Sequence, residues 1–274
     1  MKLNGKVAVI TGGSGGIGRV IAEVFLREGA YVVVVDRNKE GIRSAVKKIG
    51  GGIDGVVADV ADYASITKTI ARIAKKYHHI DVLINCAGIQ APIGTFMQND
   101  MKEWERNIGV NLFGTVHACK AVLPFMARKK SGAIINFSGG GATGSRPHFS
   151  AYAAAKTAVV RFTEILSDEL APYGIRVNAV APGAVNTAML EEVLRVGAHA
   201  GEKELSDARK RKKEGGTPPE LVASLAVFLA SDDSNGLTGR LVSAPWDDWK
   251  HWDDKTIKKL TETDKLKLRR VQLK

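Results

Sequence analysis

Short apolar runs alternate with amphipathic segments along most of the chain, and this alternation limits the folds open to it. The first run, residues 6–11, precedes a segment whose apolar residues recur at helical spacing from Ile17 to Phe25. Strands that are apolar throughout are typical of a parallel sheet covered by helices on both faces. We therefore predict an α/β fold built on a doubly wound parallel sheet.

The same alternation predicts where the elements lie. The predicted strands are residues 6–11, 31–36, 55–59, 81–88, 132–139, 175–183 and 240–245, and the main later helices are 62–77, 101–129, 152–171 and 218–231. The composition shifts near 190–217, between two strand-helix units, which indicates an insertion over the carboxyl edge of the sheet. We expect a single domain over 1–245, with 246–274 as a C-terminal extension.

The formal net charge of +11 raises the question of a polyanionic partner. Much of the excess lies in 208–214 and near the C-terminus, where basic residues alternate with acids, and no zinc-finger or RRM motif is present. We predict no nucleic-acid partner. The basic segments are expected to be solvated faces or to attract an anionic substrate.

Hydropathy and cysteine usage narrow the class further. No signal-peptide pattern and no apolar run of ~18 residues is evident, so we predict a cytoplasmic protein with no membrane partner. Cys86 and Cys119 are too few for a disulfide framework or a metal cluster, and we expect both to be small buried side chains with no metal site.

A glycine-rich turn, "TGGSGGIG" at 11–18, follows the first strand and opens the first helix. Such a turn lets a pyrophosphate approach the backbone, and the helix N-terminus stabilises its negative charge. Asp36 ends the second strand, where an acid can bond the adenosine ribose and repel a 2′-phosphate. We predict NAD as the cofactor. NADP is the lesser alternative because Arg37 is adjacent.

Tyr152 and Lys156 stand four residues apart in "SAYAAAK", within a predicted helix. Residues at this spacing share one helix face, with Cβ atoms about 5–6 Å apart. A cation roughly 4 Å from a phenol would supply about 4 kcal/mol at an effective dielectric near 20, enough to lower the pKa of the phenol from about 10 toward 7. Tyr152 is therefore a candidate proton carrier.

From about Lys6 to Gly239 the chain resembles the short-chain dehydrogenase/reductase family. The resemblance is carried by the spaced glycine motif, Asp59, "NCAG" at 85–88, Asn111 in "GVNLFG", the Tyr152–Lys156 pair and "PGAVNTAM" at 182–189. It implies a Rossmann-fold catalytic domain, hydride transfer between a nicotinamide cofactor and an alcohol or ketone, and a homodimer or homotetramer paired through the helices at 101–129 and 152–171.

The resemblance also implies a set of site residues. The expected catalytic residues are Tyr152, Lys156, Asn111 and Ser138. The expected cofactor contacts are Gly12, Ser14, Gly16, Ile17, Gly18, Asp36, Arg37, Asp59, Val60, Asn85, Ala87, Gly88, Tyr152, Lys156, Pro182, Gly183, Val185 and Thr187. Asn111 is expected to hold a water near Lys156, and Thr187 to bond the nicotinamide carboxamide.

One departure from the family falls at a catalytic position. The family places a serine thirteen residues before the tyrosine, and here that residue is Gly139. Ser138 precedes it, and a one-residue step along a strand reverses the side chain. We expect the glycines at 139–141 to bend the chain and return Ser138 to the site, with Ser145, Ser150 or a backbone N–H of the glycine run as alternatives.

Two further features leave the function open. Trp246, Trp249 and Trp252 recur every three residues after the last strand, and they either pin the tail or line a substrate pocket. The polar, basic 190–217 segment is compatible with an anionic or sugar-like substrate. Two alternatives to an NAD-dependent alcohol dehydrogenase therefore stay open: an NADPH-dependent acyl or sugar reductase, and a catalytically weak dinucleotide-binding regulatory protein.

Overall fold

The computed structural model describes residues 1–270, which contain one seven-stranded sheet. Its strands are Val7–Thr11 (β1), Tyr31–Asp36 (β2), Ile53–Val57 (β3), Val82–Asn85 (β4), Gly132–Phe137 (β5), Ile175–Ala181 (β6) and Leu241–Ser243 (β7). Neighbouring strands are parallel throughout, in the order β3-β2-β1-β4-β5-β6-β7. The predicted fold class is confirmed.

Helices cover both faces of this sheet. They are Gly16–Arg27 (α1), Lys39–Ile49 (α2), Tyr63–Tyr77 (α3), Met101–Ile108 (α4), Gly114–Lys129 (α5), Ser150–Leu170 (α6), Ala188–Val196 (α7), Glu202–Glu214 (α8), Pro219–Ala230 (α9) and Asp254–Thr261 (α10). One buried apolar cluster joins the sheet to α1, α2, α9 and α10, and a second joins its other face to α3, α5 and α6. The inner strands β1, β4 and β5 are thus buried on both sides, which explains their apolar sequences, whereas the border strands β3 and β7 are only partly buried.

The strand order reverses beside β1. The chain runs outward from β1 through β2 to β3 and then returns to place β4 on the other side of β1. Thr11 pairs with both Val35 and Asn85, so the carboxyl ends of these strands lie level. A crevice at such a switch point is the usual ligand site of an open α/β sheet.

Two segments differ from their sequence predictions. Residues 101–129 are not one regular helix, because a π-helical turn at Gly109–Phe113 separates α4 from α5. The insertion near 190–217 is largely helical, with α7 and α8 joined by a short 3-10 turn. The reason is local: Thr187 accepts a bond from the N–H of Met189 at the start of α7, and acids and bases lie at the favourable ends of α8.

The sequence contains no unbroken apolar run of ~18 residues, but one helical stretch is apolar on average over such a length. Within residues 1–270, the continuous helical stretch Met101–Lys129 reaches that length and hydropathy. In this fold α5 packs against α3 and the sheet, as a core helix does.

The C-terminal extension, as far as residue 270, packs onto the body of the protein. Trp249, Ile257 and Leu260 belong to the same buried cluster as α1 and α9. The two amides of β7 that point away from β6 also find partners there. The N–H of Leu241 donates to Leu266 O at 2.8 Å, and the N–H of Ser243 to Asp247 Oδ2 at 2.7 Å.

Candidate active site

The glycine turn after β1 is tightly packed on its inner side and clear on its outer side. A Cβ on Gly12, whose φ is +67°, would lie 2.7 Å from Ala87 Cα, and one on Gly18 would lie 2.4 Å from Gly12 O. In contrast, a Cβ on Gly15 would meet no atom within 4 Å. The N-terminus of α1 is therefore unobstructed there, as a bound phosphate requires.

Asp36 lies beside this turn, at the end of β2. Its Oδ2 accepts a 2.6 Å bond from Ser14 Oγ, and its Oδ1 accepts a 3.0 Å bond from the N–H of Asn38. The carboxylate is thus held between the glycine turn and the start of α2. Arg37, next to it, is exposed.

Most of the remaining predicted cofactor residues follow other strands at the same edge. Asp59 and Val60 follow β3, Ala87 and Gly88 follow β4, and Pro182, Gly183, Val185 and Thr187 follow β6, while Ile17 lies in the first turn of α1. Because all strands are parallel, their carboxyl ends share one edge of the sheet. A Cβ on Gly16 would lie 3.6 Å from Thr187, which brings the β6 segment against the glycine turn.

Asn85 is placed differently from the other predicted cofactor residues. Its side chain is buried, donates to Asn136 Oδ1 at 2.9 Å and contacts Cys119 Sγ at 3.3 Å. These bonds connect β4 to β5 and to α5. The structure therefore gives the Asn85 side chain a role in joining strands.

Tyr152 and Lys156 lie in the first two turns of α6, and both are buried. Lys156 Nζ donates to Phe137 O at 2.8 Å and lies 5.7 Å from the centroid of the Tyr152 ring. It also lies 3.6 Å from where a Cβ on Gly88 would be. The lysine thus joins α6 to the ends of β4 and β5, next to the crevice.

The pKa values at this pair run against the sequence expectation. Burial raises the pKa of Tyr152 above its ordinary value, and the cation that opposes this shift is Arg146 rather than Lys156. Burial also lowers the pKa of Lys156 to about 8. Removal of both groups from water disfavours their charged forms, and in the chain without cofactor this cost exceeds the Coulomb attraction between them.

The end of β5 shows what the glycine at the serine position does. A Cβ on Gly139 would lie 2.2 Å from Tyr152 Oη, so the phenol occupies the space that a side chain there would need. Ser138 Oγ is buried and has no hydrogen-bond partner within residues 1–270. A buried hydroxyl without a partner is unusual in a native structure and calls for a ligand or a water.

Asn111 lies in the π-helical turn between α4 and α5 and is buried. Its Nδ2 donates to Ile89 O at 2.8 Å and to Asn107 Oδ1 at 2.8 Å, and its Oδ1 accepts from the N–H of Ile89 at 3.3 Å. A Cβ on Gly88 would lie 2.7 Å from the same Oδ1. The Asn111 side chain therefore fixes the loop that follows β4.

An ionic cluster beside Tyr152 was not predicted from the sequence. Arg146 donates to Glu204 on α8, at 2.6 Å and 3.2 Å, and to Gln90 Oε1 at 3.1 Å. Its guanidinium carbon lies 3.8 Å from the centroid of Phe149 and 5.7 Å from that of Tyr152. No periodic pattern marks these residues, since they lie on two loops and a helix distant in sequence.

The helices of the 190–217 segment cover the catalytic end of α6. Phe149 and Tyr152 form a separate small apolar cluster with residues of α7, α8 and the turn between them: Leu190, Val193, Ala200 and Ala208. This segment therefore lies over Tyr152, as an insertion above the carboxyl edge should.

The tryptophans of the tail separate into two groups. Trp249 is buried, donates to Ala244 O at 3.1 Å and lies 5.8 Å from Phe228, while Trp252 lies 6.4 Å from the same ring. Trp246 is 77% exposed. Trp249 and Trp252 thus pin the tail to α9, and only Trp246 is free of that packing.

Comparisons with known proteins show which family the chain resembles. A sequence profile described as short chain dehydrogenase matches residues 6–196. The chain is 36% identical over 245 residues to the 3-oxoacyl-[acyl-carrier-protein] reductase FabG of Thermotoga maritima, covering 88% of this chain and 97% of that protein.

Two solved structures are similar over most of their length. An NAD+-bound xylitol dehydrogenase has a TM-score of 0.82 at 27% identity, covering 89% of this chain and 98% of its own. A single-residue variant of the actinorhodin polyketide ketoreductase, solved with NADPH, has a TM-score of 0.81 at 31% identity, covering 87% and 95%. With the profile match, these similarities establish that the chain belongs to the short-chain dehydrogenase family of NAD(P)-dependent oxidoreductases.

Proposed function

We propose that the chain is an NAD-dependent dehydrogenase that interconverts a secondary alcohol and a ketone, with Tyr152 as general acid and base. The observation that carries this proposal is the placement of Tyr152 and Lys156, both buried, at the crevice beside the glycine turn. The nicotinamide, when bound, supplies or accepts the hydride.

The residues present fit such a cofactor. The outer side of the glycine turn is clear for the pyrophosphate, and Asp36 beside it is suited to bond ribose hydroxyls. Lys156 uses one of its three N–H donors on Phe137 O and keeps two for the nicotinamide ribose. Asn111, which also keeps its loop in place, is proposed to hold a water near Lys156, and Thr187 to bond the nicotinamide carboxamide.

Tyr152 is proposed to carry the proton of the reacting oxygen. Its hydroxyl makes no hydrogen bond to another residue in the range 1–270, so it is available to a substrate. Ser138 is proposed as a second donor to the same oxygen, on the ground of its unpartnered buried hydroxyl. Arg146 would favour the phenolate through its charge.

The test compares Tyr152→Phe with Tyr173→Phe, which removes a hydroxyl from an exposed ring beyond the end of α6. NAD reduction is followed by absorbance over a panel of polyols, hydroxy acids and other secondary alcohols. We expect Tyr152→Phe to lose about 10³-fold or more in kcat while NAD affinity changes little, since only the proton carrier is removed. Equal rates in the two variants would refute the proposed role.

Preference for NAD over NADP rests on Asp36, whose charge would repel a 2′-phosphate. We expect Asp36→Ala to weaken NAD binding about tenfold or more and to strengthen NADP binding, measured by titration calorimetry. The second candidate, an NADPH-dependent acyl or sugar reductase, is favoured by the exposed Arg37 and by the similarity to an NADPH-bound ketoreductase. Tighter binding of NADP than NAD by the unaltered chain would select it.

The partners proposed are one small alcohol or ketone and further copies of this chain, as a homodimer or homotetramer. The proposed homo-oligomer is supported by exposed apolar residues in the region expected to pair: Met101 on α4, Phe113 in the π-helical turn and Ile165 on α6. A cytoplasmic location stays a prediction.

A further inference from the structure

We infer that the substrate carries a carboxylate, that Arg146 binds it, and that Glu204 occupies the carboxylate position while no substrate is bound. The inference rests on the proposed function, because it places the charged end of the substrate relative to Tyr152. It names the substrate class as short oxo acids and the corresponding hydroxy acids.

Arg146 lies within reach of the reacting centre. It is in the loop between β5 and α6, and its guanidinium stacks on Phe149 at 3.8 Å and lies 5.7 Å from the centre of the Tyr152 ring. An anion bound to it would therefore lie a few ångströms from the Tyr152 hydroxyl. This separation suits a molecule with a carboxylate and a carbonyl a few bonds apart.

The bond between Arg146 and Glu204 shows that the guanidinium is placed to bind a carboxylate. Both carboxylate oxygens of Glu204 receive bonds from Arg146, at 2.6 Å and 3.2 Å. The Arg146 side chain is only 17% exposed, so a cation there needs an anion. Two-point bonding of this kind is selective for planar carboxylates.

Glu204 can leave this position with its charge still partnered. It comes from α8, in the segment that covers Tyr152, and its side chain is 22% exposed. Arg211, on the same helix, lies 3.6 Å from the oxygen that Arg146 binds at 2.6 Å. A substrate carboxylate that displaces Glu204 thus leaves it beside a second cation.

Gln90 holds the Arg146 guanidinium from a second direction. Its Oε1 accepts a bond from Arg146 at 3.1 Å, and its Nε2 donates to Met189 O, in the first turn of α7, at 3.1 Å. Gln90 follows the "NCAG" element after β4, next to the crevice. Arg146 therefore keeps its orientation when Glu204 is exchanged.

The alternative is a structural ion pair whose only effect is to hold α8 closed. The two interpretations predict opposite effects of neutralising Glu204. If Glu204 is a stand-in for substrate, Glu204→Gln removes a competitor and tightens binding of acids. If it is a latch, the same change loosens the covering helices and weakens binding of every substrate.

The experiment measures binding by calorimetry in complexes that cannot react, with the oxidised cofactor and ketone ligands. The ligands are acetoacetate and levulinate, each beside its methyl ester. We expect the unaltered chain to bind the acids about tenfold or more tightly than the esters, since the ester cannot form the charged hydrogen-bond pair with Arg146. Arg146→Met should abolish that preference, and Glu204→Gln should tighten acid binding several-fold.

Arg209→Ala is the matched control, because Arg209 is exposed on α8 and makes no ion pair within residues 1–270. It should leave the preference for acids in place. Thermal melting of each variant checks folding, and Glu204→Gln tests the inference even if Arg146→Met is unstable.

Three results would overturn the inference. The first is weaker binding of acids and esters alike in Glu204→Gln, which would mean that the ion pair only holds α8 closed. The second is no preference for acids in the unaltered chain. The third is no binding of any acid by a chain that binds NAD and oxidises a neutral alcohol in a Tyr152-dependent way, which would leave the proposed function standing. Absence of NAD binding would instead refute the proposed function itself.

Discussion

Gly139 shows how one missing side chain sets the position of another. The Tyr152 hydroxyl lies where a Cβ on residue 139 would be, so the glycine and the tyrosine position depend on each other. We expect Gly139→Ala to displace the phenol and to lower kcat/KM about tenfold or more, because small misplacements at a reacting centre are costly. Gly144→Ala, where a Cβ meets no atom within 4 Å, is the control. Equal kcat/KM in both variants would show that Tyr152 needs no such space.

Lys156 makes the stability of the cofactor-free chain depend on pH. Burial lowers the pKa of Lys156 to about 8 from an ordinary value of 10.5. The buried charge therefore lowers the free energy of unfolding by its full amount below pH 8, and by progressively less as the pH rises to 10.5. Lys156→Met removes that cost. The advantage of the variant in unfolding free energy should shrink by about 2 kcal/mol between pH 7 and pH 9.5.

Urea unfolding of both proteins at the two pH values checks this. A constant difference would mean that Lys156 keeps its ordinary pKa in the folded chain.

At the scale of single residues, the sequence predicted the relative placement of Tyr152 and Lys156 but not the direction of their pKa shifts. The spacing of Tyr152 and Lys156 places both on one helix face, and the structure does so. The direction of the Tyr152 pKa shift depends on burial by α7 and α8 and on Arg146, which come from other parts of the chain. Neither contribution is visible in the spacing of the pair.

Among the elements, the π-helical turn at Gly109–Phe113 was not predicted by the hydrophobic periodicity of the sequence. Hydrophobic periodicity does not distinguish one continuous helix from two joined by a wide turn, because the apolar face is nearly the same. The turn is fixed by long-range bonds, such as those from Asn111 to the loop after β4. Tertiary contacts of this kind override local helical preference.

The attachment of α10 depends on Arg240, which is buried at the start of β7. Its guanidinium donates to main-chain carbonyls at the end of α10 and beyond it, those of Leu260, Thr261 and Thr263. We expect Arg240→Met to lower the free energy of unfolding by about 3 kcal/mol, since it leaves one buried and two partly buried carbonyls without this donor.

The exposed Lys259→Met on α10 is the control for lost charge. Thermal melting compares the two variants, and a similar loss in both would contradict the capping role of Arg240.

For the whole molecule, apolar alternation was enough to predict a parallel sheet and the place of its crevice. Each buried strand is an apolar run in the sequence. Parallel strands bring the loops that carry the motifs to one edge of the sheet, so the motifs and the predicted fold indicate the same place for the crevice. The path of the tail over α9 and β7 was not predictable, because it depends on contacts among distant residues such as Trp249 and Phe228. The same holds for the Arg146–Glu204 pair.

Assembly is expected to use the faces of α4, α5 and α6. Phe113, in the π-helical turn between α4 and α5, is 52% exposed, so covering the rest of its ring in an interface contributes about 1 kcal/mol, roughly half the value for a fully exposed ring. We expect Phe113→Lys to shift a dimer or tetramer toward smaller species in light scattering coupled to size-exclusion chromatography. Met97→Lys, at a 97% exposed residue before α4, should not. A monomeric unaltered chain at all concentrations would refute this expectation.

The outer border of β7 is closed by residues that follow it in the same chain, through Leu266 and Asp247. A border strand with free amides can pair with a strand of another chain. The tail therefore protects β7 against edge-to-edge association of sheets. Truncation just after Ala244 should therefore free these amides and also uncover the apolar surface that Trp249, Ile257 and Leu260 cover, so we expect a product that aggregates, as measured by light scattering.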